Sequence, residues 1–120
     1  MATLEQNIYA RLSAVCPRVY PDVAPVGTAK PYITWQQIGG DAFVFADFST
    51  PSKRSADVQV NVWGGDRASV NLMSIAAQNA LCNAPTSEFS ASPTAALTAT
   101  YDDDNLVYGA QQDFTMWNNY

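Results

Sequence analysis

Three consecutive carboxylates, Asp102-Asp103-Asp104, are the densest cluster of ligand oxygens in this sequence. Hard cations such as Mg²⁺ or Ca²⁺ favour oxygens of this kind. A calcium loop would also need further oxygen ligands, a glycine at its sixth position and a distal glutamate, and none follows here. With Asn105 the run reads instead as a solvated hairpin tip, at which an ion could sit. Asp47 and Asp57 could meet across a hairpin as an acid–base pair, but no other residue pattern supports one. The chain has no histidine, which removes Ser-His-Asp and Cys-His catalysis and most zinc sites. No phosphate-cradling glycine loop or nucleophile elbow occurs. The sequence therefore predicts no enzyme, no metal site and no cofactor.

A different kind of chemistry lies in residues 41–55, DAFVFADFSTPSKRS. Phe43, Phe45 and Phe48 are three of the chain's five phenylalanines, and the only adjacent basic pair, Lys53-Arg54, follows a turn-like Ser-Thr-Pro-Ser. Aromatic side chains beside cations suit an interface whose core is apolar and whose rim meets an acidic neighbour. Two readings of the stretch stand: the phenylalanines fold back over the sheet as a lid on the core, or they project as an assembly arm.

A chain of 120 residues reads as one domain, 1–120, with a protruding loop or hairpin at about 40–56. Its 48% hydrophobic and 14% charged residues describe a folded chain with much neutral polar surface. The net charge of −5 argues against nucleic-acid binding, which needs clustered cations against phosphates. Cys16 and Cys82 form no metal-binding pattern and read as buried free thiols. No signal peptide or membrane span is apparent, which predicts a protein made in a reducing cytoplasm.

These segments must be positioned by an ordinary set of elements. Thr3-x-x-Gln6 is a capping box, and Leu4, Ile8, Leu12 and Val15 form one helical stripe, so a helix is expected over 4–15. Pro17, Pro21, Pro25 and Pro31 predict an extended segment without regular pairing. Strands follow at 32–38 and 57–63, the second alternating three valines with Asp, Gln and Asn. If these two pair antiparallel, their residue numbers sum to about 95. Asp66 caps a second helix with a stripe of Val70, Met73, Ala77 and Leu81, and Ala76 and Ala80 would let it approach the sheet. Residues 85–94 read as loop anchored by Phe89, and a hairpin over 96–117 closes the chain. The expected fold is α+β: an antiparallel sheet of about four strands with two helices on one face, in the order α-β-β-α-β-β.

With these elements placed, Val19-Tyr20-Pro21, Ala24-Pro25, Pro31-Tyr32-Ile33-Thr34-Trp35, Val58-Gln59-Val60-Asn61-Val62-Trp63 and Asp113-Phe114-Thr115-Met116-Trp117 form an ordered series. In order and spacing it resembles the tail completion and tail terminator proteins of long-tailed bacteriophages. The resemblance covers nearly the whole chain except 40–55, where no shared motif is recognised. It implies structural work without catalysis: a homo-oligomeric ring, usually a hexamer, that caps the tail tube and offers a docking face to head–tail connector proteins. It also implies a place in the virion, at the head-proximal end of the tail, with DNA passing through the ring without specific binding. The alternatives are a connector or neck protein on the portal side, or a small ligand-binding module or enzyme with a pocket between sheet and helices.

Overall fold

A computed structural model describes residues 3–40, 53–85, 87–103 and 106–119. Phe43, Phe45, Phe48, Asp47 and Asp104 lie outside that set, and Lys53 and Arg54 are described by their backbone alone. The elements run α1 (Leu4–Ser13), β1 (Val19–Pro21), β2 (Tyr32–Gly39), β3 (Lys53–Gly64), α2 (Arg67–Cys82), β4 (Ser90–Pro93), β5 (Thr98–Asp102) and β6 (Val107–Asn119). No helix is long and apolar enough to cross a membrane, among the described residues.

The expected α+β class holds, but the sheet has six strands and is mixed rather than a four-stranded antiparallel one. Its order is β1-β2-β3-β6-β4, with β5 also on β6. The two extra strands come from segments read as irregular. β1 runs parallel to β2 over only three pairs, Val19↔Ile33 to Pro21↔Trp35, where proline punctuation hides a strand signal. β4 holds the second half of one edge of β6, from Ser90↔Trp117 to Pro93↔Phe114. β5 holds the first half, from Thr98↔Gln111 to Asp102↔Val107. Strands this short carry too little side-chain alternation to be seen in sequence.

β2 and β3 pair antiparallel from Tyr32↔Trp63 to Gln37↔Val58, the register expected from their numbering, and a shift at Ile38 then sets Gly39 opposite Asp57. β3 begins four residues earlier than expected, at Lys53, because β6 supplies partners down to Lys53↔Asn119. The stretch between β2 and β3 is therefore 40–52, and Lys53–Ala56 belong to the sheet rather than to a protrusion.

Alternation along the central strands separates the two faces. Ile33, Trp35, Ala56, Val58, Val60, Val62, Ala110, Phe114 and Met116 lie in one core with Leu4, Ile8 and Leu12 of α1 and Val70, Ala77 and Leu81 of α2. Phe89, fully buried, anchors the loop before β4, as expected. The close approach of α2 to the sheet is made by Ser74 and Ala77, both buried, whereas Ala76 is exposed and Ala80 only half-buried. Gln112 is the polar exception on the core face. Its amide donates to Gln78 Oε1 at 2.7 Å and to the Ala95 carbonyl at 2.9 Å, filling the break where β6 changes partner from β5 to β4.

Local chemistry fixes the ends of these elements. Thr3 and Gln6 form the capping box of α1. Arg67, at the start of α2, donates to the carbonyls of Gly109 (2.6 Å) and Thr100 (2.7 Å) and lies over the Tyr108 ring, tying the helix to the β5–β6 hairpin. Arg11 pairs with Glu88 and joins α1 to the approach to β4.

At Gly109 the backbone meets Trp63 so closely that an added Cβ would lie 2.9 Å from the indole and collide with Thr100 Oγ1. Gly109→Ala is expected to destabilise the fold by about 1–3 kcal/mol through overpacking. Gly39→Ala, where the nearest atom is 3.8 Å away, should change stability by less than about 1 kcal/mol. Urea unfolding midpoints of the two variants check the contrast.

Candidate assembly surfaces

The acidic turn lies at one end of the sheet. Asp102 closes β5 and Asp103 is exposed. The charge of Asp102, added to burial, raises the pKa of Tyr32, which stacks on Trp63 with ring centroids 6.4 Å apart. The turn therefore neighbours the start of β2. Among the described residues, no three His, Cys, Asp or Glu side chains are arranged to hold a metal. Asp57 accepts from the Thr115 hydroxyl at 3.2 Å on the helix-free face, and Asp47 is outside the described set, so the suggested carboxylate pair has only one visible member. Cys16 is buried and Cys82 half-buried, both free, and burial pushes the Cys82 thiol up.

Three clefts formed by described residues have volumes of about 230, 180 and 290 Å³. A small-molecule site usually needs roughly 300–1,000 Å³ with convergent polar groups. The first cleft, between α1 and the ends of β1 and β2, borders Trp35, whose indole N–H is buried without a partner. Glu5 and Asp22 border the first cleft and Lys30, Asp66 and Ser69 the third, whereas the second has Asp22 as its one charged residue.

Surfaces distinguish this protein more than pockets do. The helix-free face of the sheet is a carpet of Thr34, Gln36, Asp57, Gln59, Asn61, Gln111, Asp113 and Thr115, placed together by the registers of β2, β3 and β6. Tyr32 and Trp63 bound it at one end, and Trp117, 42% exposed, at the other. On the opposite side, α2 has one charged residue in sixteen, Arg67. Its outer face carries Leu72 at 69% and Ile75 at 50% exposure, beside exposed Ala68 and Ala76.

The β1–β2 loop also leaves apolar side chains in water. Val23 is 77% exposed and Val26 wholly so, yet the loop is braced. Arg18 Nε donates to the Pro31 carbonyl at 2.9 Å, Thr28 N–H and hydroxyl donate to the Pro25 carbonyl, and Lys30 Nζ reaches the Leu106 carbonyl at 3.2 Å. Gly27 takes the positive φ of 83° that closes the turn.

Of the residues singled out in the sequence, the structure brings Asp102 and Asp103 to one turn and puts the backbone of Lys53 and Arg54 at the far end of β3, so the two groups do not converge. Leu72, Ile75, Val23 and Val26 were not singled out. The signals for them are a helix with large apolar residues outside its core stripe, and an uncharged run, 23–29, between Asp22 and Lys30.

The N-terminus of α2 is held by Asp66, whose carboxylate accepts from Ser69 N–H at 2.8 Å and from the Ser69 hydroxyl at 2.9 Å. These bonds lower its pKa. A depressed folded pKa contributes stability above the ordinary carboxylate range, and that contribution is lost as pH falls through the lowered value. Asp66→Asn keeps a capping oxygen but cannot titrate. Its urea midpoint should fall less steeply than that of the unaltered chain below about pH 4, as urea titrations over a series of pH values would show.

No curated protein matches the chain. The family model for tail completion protein gp17 matches residues 6–118, from the first turn of α1 to the end of β6. A match spanning every element of the fold identifies the chain as a member of the tail completion protein gp17 family, a family of bacteriophage tail proteins.

Proposed function

We propose that this protein is a structural part of the virion that forms a ring on the head-proximal end of the tail tube, stops its growth and presents the face to which head–tail connectors dock. The family match over 6–118 carries the reading, since the whole folded unit is the family's unit. The absence of histidine from the sequence removes the Ser-His-Asp and Cys-His arrangements. Large apolar side chains left in water, Val23, Val26, Leu72 and Leu106 among them, accord with a subunit whose surface is completed by others.

In this reading the acidic turn at Asp102, Asp103 and Asp104 lines the passage, where like charge keeps DNA from adhering. The segment with Phe43, Phe45 and Phe48, beside Lys53 and Arg54, is the arm that grips the tail tube or a neighbouring subunit.

Electron microscopy of tail tubes assembled without this protein, before and after its addition, tests the role. The expected result is extra ring-shaped density at one tube end and no further elongation when tube subunits are supplied. Failure to bind tubes, or binding to the portal of heads instead, would overturn it. Changing Phe43, Phe45 and Phe48 together to Ser should leave the circular dichroism spectrum and unfolding midpoint unchanged while tube binding is lost. Unfolding of the variant would identify the phenylalanines as core.

A further inference from the structure

The second cleft, on the helix-free face, joins two unlike surfaces. Its floor is Tyr32, Thr34 and Trp63, and its wall is Asp22, Val23 and Ala24 of the loop after β1. The floor is rigid. On the β2 side the Trp63 indole N–H donates to Thr34 Oγ1 at 3.2 Å. The other end of the ring crowds Gly109 on β6. The indole is thus laid across the sheet rather than standing off it, with the Tyr32 ring stacked beside it at an interplanar angle of 27°. The wall is fixed as well. Asp22 N–H donates to the Trp35 carbonyl and Val23 N–H to the Pro21 carbonyl, both at 2.7 Å. Asp22 adopts a φ of 64°, in a region where aspartate and asparagine are among the tolerated residues.

Aromatic faces and a carboxylate both attract a cation. Asp22 is the one charged residue on the cleft, and no lysine or arginine borders it. Asp102, on the other margin of the sheet, adds to the same field: burial and then its charge raise the pKa of Tyr32. A volume of about 180 Å³ takes one side chain rather than a whole small molecule. Among cations a guanidinium suits the site best. It is flat enough to lie on the rings and has N–H groups for the carboxylate, whereas a quaternary ammonium has none. Elsewhere the chain holds an arginine in just this way, Arg67 lying over the Tyr108 ring while it donates to two carbonyls. Of the chain's four arginines, Arg67, Arg11 and Arg18 are taken up within the subunit, Arg11 by Glu88 and Arg18 by the carbonyls of Pro31 and Lys30. A net charge of −5 also favours a basic partner over a second acidic copy.

We propose that this cleft is the seat for an arginine side chain presented by another protein, its guanidinium over Tyr32 and Trp63 and its N–H groups toward Asp22. The contact is one residue wide. It is weak alone and serves to orient a partner that is held at other points too. It stands apart from the ring reading, and either can fail without the other.

The test is an NMR titration of the full, isotope-labelled chain with three probes: a blocked Gly-Arg-Gly tripeptide, its citrulline counterpart and tetramethylammonium. Citrulline keeps the shape of arginine and loses the charge. The arginine peptide is expected to shift the Trp63 indole signal and the amides of Asp22, Val23, Tyr32 and Thr34, and the citrulline peptide to leave them in place. Asp22→Asn should weaken binding about two- to fivefold, and high salt should weaken it for the unaltered chain. Asparagine tolerates the same backbone angle, so the unfolding midpoint of this variant should match that of the unaltered chain. Trp63→Leu should abolish the arginine-dependent shifts at Tyr32 and Thr34; should that variant unfold, Asp22→Asn still decides. No shifts at all, equal shifts with the citrulline peptide, shifts centred elsewhere, or full binding by Asp22→Asn would each overturn the proposal. So would tighter binding of tetramethylammonium, the mark of a quaternary ammonium headgroup. The same shifts appearing as the chain alone is concentrated would put a second copy in the seat, and would overturn it too.

Discussion

The pairing of β3 with β6 is the constraint on which the other elements depend. Twelve successive partners, from Lys53↔Asn119 to Gly64↔Tyr108, join strands whose residues lie more than forty positions apart in sequence. Closing so long a loop costs entropy that a two-stranded ribbon does not recover. α2 lies between the strands in sequence and packs on both, so it rewards the closure as it forms. Shifting the register by one residue would turn Val58, Val60 and Val62 to water and bury Asp57, Gln59 and Asn61, which have no compensating partners there. β2 and β1 then add to one side of this pair, and β4 and β5 to the other.

What could be read in the sequence followed the length and regularity of each signal. The capping box at Thr3 and Gln6, the valine alternation of β3 and its register against β2 were legible because each rests on several residues acting together. β1 and β4 were not, because strands of three and four residues that end in proline look like punctuation. The early start of β3 was hidden for another reason: Ser55 and Ala56 carry no strand signature of their own and are held by Trp117 and Met116 of β6. In α2 the phase was right, yet the residues of close approach are Ser74 and Ala77, since Ala76 falls on the opposite side of the helix. Small residues do not announce which face they occupy.

The candidate surfaces were less legible than the fold. Sequence drew attention to aromatic and acidic clusters, whereas Val23, Val26, Leu72 and Ile75 are ordinary residues made unusual by their exposure. Exposure depends on what the rest of the chain covers, and that is decided by the sheet order and by the helix layer. A low charge content gains meaning in the same way. Spread evenly it would be unremarkable, but here it leaves one helix face and one braced loop without any charge.

Both margins of the sheet finish in a residue that cannot donate a backbone hydrogen bond: β1 ends at Pro21 and β4 at Pro93. The margin formed by β4 and β5 is further interrupted at Gln112. A neighbouring strand therefore finds no long ladder to extend, and lateral knitting of backbones into fibrils is blocked at each side. Association at these two margins is thereby left to side-chain surfaces rather than to backbone ladders. Contacts made by side chains alone can come apart and re-form without breaking a shared ladder of backbone hydrogen bonds.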